Sequence, residues 1–272
     1  MNCKNCQTEL QEPDDYCKSC GGKVIRKRLT FRNLFEHLSE TFFNYDNKLL
    51  RTIIHLFKQP EDVIVGYIDG VRKKYVNPVS LFGLALTLSG IYILVVNKYF
   101  PEMFDFSTLT VEGQEEFQQK NMQFVQEYQS IIVMLYVPIY ALMAKLVFFD
   151  KKKFNYTELL VVFIYIQAQI SIVSSVIVIA LGVLGLSSGI VGMAMIPLMI
   201  LYSAYCLKRI YNLNFLDITV RTLLFGVVLA ITFVIITILM LVIMYFNGDL
   251  KEMVEAQKAA KEAKEIIKDS IN

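Results

Sequence analysis

The sequence predicts an all-α integral membrane protein: a five-span helical bundle preceded by amphipathic helices and a small N-terminal zinc ribbon. Three observations predict it. Of 272 residues, 55% are hydrophobic and only 19% charged, where a soluble domain carries about a quarter charged residues. The deficit is concentrated between Pro78 and Phe246, where long apolar runs alternate with short polar breaks. Four cysteines, finally, crowd into the first twenty residues. The implied organisation is a ribbon over 1–24 and basic amphipathic pre-membrane helices over 25–77. A five-helix transmembrane domain over 78–246 follows, with an extracytoplasmic segment at about 97–130, and then a polar C-terminal helix over 247–272.

Cys3, Cys6, Cys17 and Cys20 stand in the spacing C-x2-C-x10-C-x2-C. Each close pair can present two thiolates to one ion, and the ten-residue connection is long enough to bring the pairs into a tetrahedral set. Gly21 and Gly22 follow the second pair, where a knuckle turn needs positive φ. Pro13, Asp14 and Asp15 supply turn chemistry between the pairs. Four thiolates leave no open coordination position, so the expected cofactor is a structural Zn²⁺. So short a segment cannot bury an adequate core, and the metal supplies most of its folding free energy, roughly 10–16 kcal/mol in comparable peptides. The alternative is a pair of disulfides in an exported N-terminus, which the charge pattern below argues against. The stretch resembles the short zinc ribbons found at the N-termini of bacterial proteins. Cys206 lies alone in an apolar run and reads as a small buried hydrophobe.

Between ribbon and membrane, apolar residues from Phe31 to Phe57 recur at helical spacing on one face. Asn44–Asn47 breaks the pattern, with Asp46 as the cap of the next helix. Pro60, Glu61 and Asp62 start a further short helix carrying Val63, Ile64, Tyr67 and Ile68, which Gly70 ends. An apolar face flanked by Lys and Arg suits a helix lying in the membrane interface; it equally suits a helix packed on the spans. In "YIDGVRKKYVNP", residues 67–78, Arg72, Lys73 and Lys74 are candidates to meet anionic lipid headgroups, with Tyr75 at the interface and Pro78 opening the first span. The plainer reading of the same triplet is a positive-inside stop and interface anchor.

Five runs reach the roughly twenty residues a span requires: 79–96, 131–149, 159–184, 189–207 and 222–246. Lys and Arg are dense before the first run, sparse between the first and second, and return as Lys151–Lys153 and then as Lys208, Arg209 and Arg221. The alternation places the N-terminus in the cytoplasm, where reducing conditions favour metal over disulfides. Five spans put the C-terminal tail outside, although its lysines lean inward.

The third run carries a polar cluster, Gln167, Gln169, Ser171, Ser174 and Ser175. Such groups hold helices together by hydrogen bonds, or else line a path for a small polar ligand. His37 and His55 are the only histidines and form no metal-protease motif. No nucleophile elbow, phosphate loop or intramembrane carboxylate pair is present, so an enzyme is not expected.

"RTIIHLFKQPEDVIVGYIDGVRKKYVNP", residues 51–78, resembles the central block of an uncharacterised bacterial membrane family catalogued as domain of unknown function 3667, whose members commonly carry an N-terminal zinc ribbon. The resemblance implies architecture and no activity. A looser likeness, in layout alone, is to the Yip1 group of membrane-trafficking proteins, with a cytosolic N-terminus and five spans. The expected function is therefore a non-enzymatic scaffold or recruitment factor, with a transporter or channel subunit as the alternative. The expected partners are anionic membrane lipids and a protein bound through the ribbon. Nucleic acid is not expected, because the basic run beside the ribbon lacks aromatic residues for base stacking.

Overall fold

The computed structural model describes residues 2–22, 24, 48–100, 121, 123–184 and 188–247. The chain divides into two units, Met1–Lys48 and Leu49–Asn272. The apolar face expected over 31–47, most of the extracytoplasmic segment, the turn at 185–187 and the polar tail lie outside the described residues.

In the first unit, turns follow one another around short bridges, one of them the antiparallel pairing of Asn2 with Glu9. Its small core consists of Cys3, Leu10 and Cys17, with Val24 packed against them.

The described part of the second unit is helical: α1 (Lys48–Lys58), α2 (Pro60–Ile68), α3 (Pro78–Tyr99), α4 (Gln129–Val147), α5 (Tyr156–Val183), α6 (Ser188–Tyr211) and α7 (Phe215–Asn247). Local chemistry sets several boundaries. Pro60 opens α2, where a missing N–H costs nothing. Gly70 closes it at φ 103°, donating to Tyr67 O, while Val71 donates to Gly66 O at 2.8 Å. That pair of bonds is a Schellman cap, in which the left-handed residue is best a glycine. Pro78 begins α3 as expected, behind Asn77, whose Oδ1 accepts the Ser80 N–H at 2.8 Å. Asn155 and Glu158 form a reciprocal capping box on α5.

Among the described residues, four helices are long and apolar enough to cross a membrane: α3, α4, α5 and the Phe215–Val242 part of α7. Together they give the chain the character of a membrane protein. In α5, 61% of the apolar stretch is buried inside the protein, against none for α7; α5 is thus the central post and α7 a peripheral one. The fourth expected run, 189–207, lies on α6. α7 starts seven residues before the apolar run, and its Arg221 there is held through Nη1 on Val147 O and Asp150 and Nη2 on Asp150 at 2.6–2.8 Å.

α1 and α2 pack on the spans. Leu56, Val63 and Ile64 are completely buried in one core with Leu81, Val162 and Tyr165. Cross-links tie the same end of the bundle: Lys153 Nζ donates to Ile210 O at 2.6 Å, Lys145 Nζ to Phe154 O at 3.1 Å, and Arg209 pairs bidentately with Glu61. The pre-membrane helices, the Lys151–Lys153 loop and the α6–α7 junction therefore share one rim. At the opposite end Tyr92 of α3 meets Gln129 of α4.

Candidate functional site

The four N-terminal cysteines converge. Their sulfurs all lie within 4.8 Å of one another, with Cys3 to Cys20 at 3.7 Å and Cys6 to Cys17 at 3.5 Å. A tetrahedral ion with metal–sulfur bonds of about 2.3 Å spaces its sulfurs roughly 3.8 Å apart, so these separations suit one metal ion. All four are free thiols.

Two copies of one backbone device build the site. In the first, the Gln7 N–H donates to Cys3 O and the Cys3 N–H to Thr8 O; in the second, Gly21 donates to Cys17 O and Cys17 to Gly22 O, every bond 2.8 Å. The fifth position of each turn is left-handed, Gln7 at φ 61° and Gly21 at φ 68°. Gly21 is the residue this geometry favours, whereas Gln7 adopts it against its side chain. A Cβ on Gly22 would sit 3.3 Å from Cys20 Sγ, so a glycine keeps the thiol clear there.

The electrostatics fit a cation. Thr8, whose hydroxyl lies 3.2 Å from Cys6 Sγ, pulls the Cys6 thiol down to about 6, and the Asn5 side chain lowers Cys20. Cys17 moves the other way: the Cys20 amide favours its ionisation, but burial and the neighbouring thiols outweigh it. Four like acids in one place cannot all ionise without a counter-charge. A bound dication supplies it.

A second constellation joins α1 to the spans. Thr52 Oγ1 accepts the Val76 N–H at 3.0 Å, and Tyr165 OH donates to Val76 O at 2.8 Å. The carbonyls at the C-terminal end of α1 are taken by span side chains: Gln169 Nε2 on Ile53 O, Tyr202 OH on Leu56 O and Tyr205 OH on Lys58 O, at 3.1–3.2 Å. The two tyrosine bonds satisfy carbonyls that a helix end leaves open. The hydrogen bonds from Arg209 hold the Glu61 carboxyl below the usual carboxylate range, as those from Arg221 do for Asp150.

The expected lipid contacts Arg72, Lys73 and Lys74 are exposed in the loop between α2 and α3. The Arg72 guanidinium lies 4.0 Å over the Tyr67 ring, a cation–π placement. Tyr75 does not sit at the interface. It is buried at 4% exposure and shares a 2.8 Å hydrogen bond with His55 Nδ1, because α1 packs across it. α1 nevertheless keeps Leu50, Ile54 and Phe57, spaced along one face, exposed.

The polar cluster on α5 separates by role. Ser174 and Ser175 both bond back to Ser171 O, closing on their own helix. Gln169 ties α5 to α1, and its Oε1 is buried without a donor among the described residues. Gln167 faces a cavity instead. The Arg221–Asp150 pair and the tyrosine bonds to α1 went unread in the sequence; nothing local marks partners 71 to 147 positions apart.

Among known families, one described as "Protein of unknown function (DUF3667)" has a model that matches residues 46–90. That stretch runs from just before α1, through α2 and the basic loop, into the first half of α3, and contains the block whose resemblance was read from the sequence. No curated protein and no solved structure matches the chain.

Proposed function

We propose that this chain is a non-enzymatic protein of the bacterial inner membrane that holds a zinc-loaded four-cysteine module in the cytoplasm and uses it to recruit a protein partner. The convergence of four free thiols within 4.8 Å, on a chain of apolar spans, carries the reading. Zinc is favoured because four thiolates at tetrahedral spacing match its ligand preference. α6, fourth in chain order, brings the spans to five: it is 24 residues long, with its charges confined to Lys208 and Arg209 in the last turn. The cytoplasmic N-terminus rests on the shared basic rim and the positive-inside rule.

The test is copurification of the full chain from native membranes in mild detergent. A protein retained in stoichiometric amount by the wild type, and lost when Cys17 is replaced by serine, supports recruitment. The transporter reading draws support from the buried glutamines of α5; solute flux in reconstituted vesicles with no retained protein would replace recruitment by transport.

Arg72, Lys73 and Lys74 complete the proposal as a contact for anionic headgroups. They are exposed, as is the apolar stripe of α1, and each basic residue near an anionic leaflet contributes about 1 kcal/mol, roughly 3 kcal/mol for the triplet before screening. Full-length protein extracted from mixed vesicles should carry an excess of anionic lipid. Replacing all three residues by glutamine, or raising salt, should remove most of that excess. If the triple variant keeps it, the triplet serves only as a topology signal.

A further inference from the structure

A cavity of about 300 Å³ lies between α4, α5, α6 and α7, a volume at the lower end of small-molecule sites. Its walls are aromatic and aliphatic, yet two polar groups in them lack partners. Gln167, only 6% exposed, lines it and hydrogen-bonds to none of the described residues. Arg221 lines it too; its Nη atoms are engaged by Asp150 and Val147 O, but its buried Nε has no acceptor among the described residues. A buried donor left without a partner, as Arg221 Nε is, costs about 1–3 kcal/mol, and the Gln167 amide lines the cavity with no bond among the described residues.

The two groups lie at different depths. Along α7 the wall extends from Ile218 to Leu229, about 16 Å at 1.5 Å per residue. Arg221 stands at the rim end, where the guanidinium also lies 5.0 Å over the Phe148 ring. Gln167 is some eleven residues into α5, about 16 Å from its start, further into the bundle than Arg221. The cavity is thus a long apolar slot with a donor at the rim end and a carboxamide further in. Lys208 and the Lys151–Lys153 loop stand beside the lining residues Leu207 and Phe148 on that rim, so an acid is the complementary head.

We propose that this slot binds a single-chain acidic amphiphile, its head on Arg221 and its chain directed toward Gln167, with a hydroxyl or carbonyl along the chain that pairs with the Gln167 carboxamide. An ordinary acyl chain from the bilayer fills the apolar wall but leaves Gln167 unpartnered. A hydroxylated fatty acid satisfies both groups. Gly226 offers a way to close the slot without disturbing the fold, since it lines the cavity and a Cβ placed there would meet no atom within 4 Å.

The experiment uses the full chain in nanodiscs, with a diazirine-bearing stearic acid as photoreporter and unlabelled acids as competitors. Stearic acid, its methyl ester and a series of hydroxystearic acids differing in hydroxyl position are compared. Labelling of Phe225 and its neighbours should saturate. At least one hydroxy isomer should displace the reporter about tenfold better than stearic acid, and the methyl ester should compete worst. Gly226→Leu should abolish saturable labelling. Gln167→Leu should retain stearic acid binding and erase the hydroxyl preference. Non-saturable labelling, labelling that survives Gly226→Leu, or the absence of any isomer better than stearic acid would each overturn the assignment.

Discussion

Cys17→Ser is expected to release the metal and unfold the described part of the N-terminal unit while the spans stay inserted. Cys17 is 2% exposed, its sulfur lies 3.5 Å from that of Cys6, and its N–H and C=O both belong to one knuckle. Serine offers no thiolate, and three remaining ligands bind zinc far more weakly. Among the described residues, the apolar core beside the site comprises Leu10 and Val24 with two of the cysteines, too little to replace a metal contribution of roughly 10–16 kcal/mol. The spans satisfy their own backbone groups in lipid and do not need the ribbon. Elemental analysis should find one zinc per wild-type chain and close to none in the variant, with rapid proteolysis confined to the N-terminus. Zinc retained at full occupancy in the variant would remove Cys17 from the ligand set. Acidification should act in the same direction, because protons compete for the thiolates that hold the ion.

Leu56→Ala is expected to loosen α1 from the bundle. Leu56 has no exposed surface and packs in one core with Val63, Ile64 and residues of α3 and α5. Truncation at such a site costs about 2–5 kcal/mol through lost burial and the cavity left behind. The bonds from Tyr202 and Tyr205 to the end of α1 depend on that seat. Trypsin cleavage after Lys58 in nanodiscs should accelerate by one to two orders of magnitude. Phe57→Ala, at a half-exposed neighbour, should change it little. Equal cleavage rates for Leu56→Ala and wild type would mean that α1 is held by its polar bonds alone.

What the sequence revealed, and what it hid, divides by range. The knuckle glycine, the Gly70 stop and the Pro78 start are local features, each determined by the backbone needs of one turn, and all three are where the residue types place them. The convergence of the cysteines was legible because two short repeats and a fixed coordination geometry leave little freedom. Tyr75 was misplaced at the interface because its burial depends on α1 folding across it, a contact twenty positions away. Gln167 and Gln169 look alike in sequence, two positions apart on one helix. One ties α5 to α1 and the other faces a cavity, because a separation of two turns them to different sides of the helix. Arg221 reads as a loop charge until Asp150 is brought beside it.

The shared rim has an electrical consequence. Lys145, Lys153 and Arg221 each donate to a main-chain carbonyl at one end of the bundle, and a carbonyl, unlike a carboxylate, satisfies the donor without cancelling its charge. Those charges are therefore fixed in position and, for the lysines, remain net. Moving one elementary charge against a membrane voltage takes about 2.3 kcal/mol per 100 mV, in addition to the work of drawing it through hydrocarbon. Several charges locked to one rigid rim would have to make that passage together. The side on which the rim emerges during insertion is consequently kept for the lifetime of the folded protein, and the bundle behaves as a diode for its own orientation.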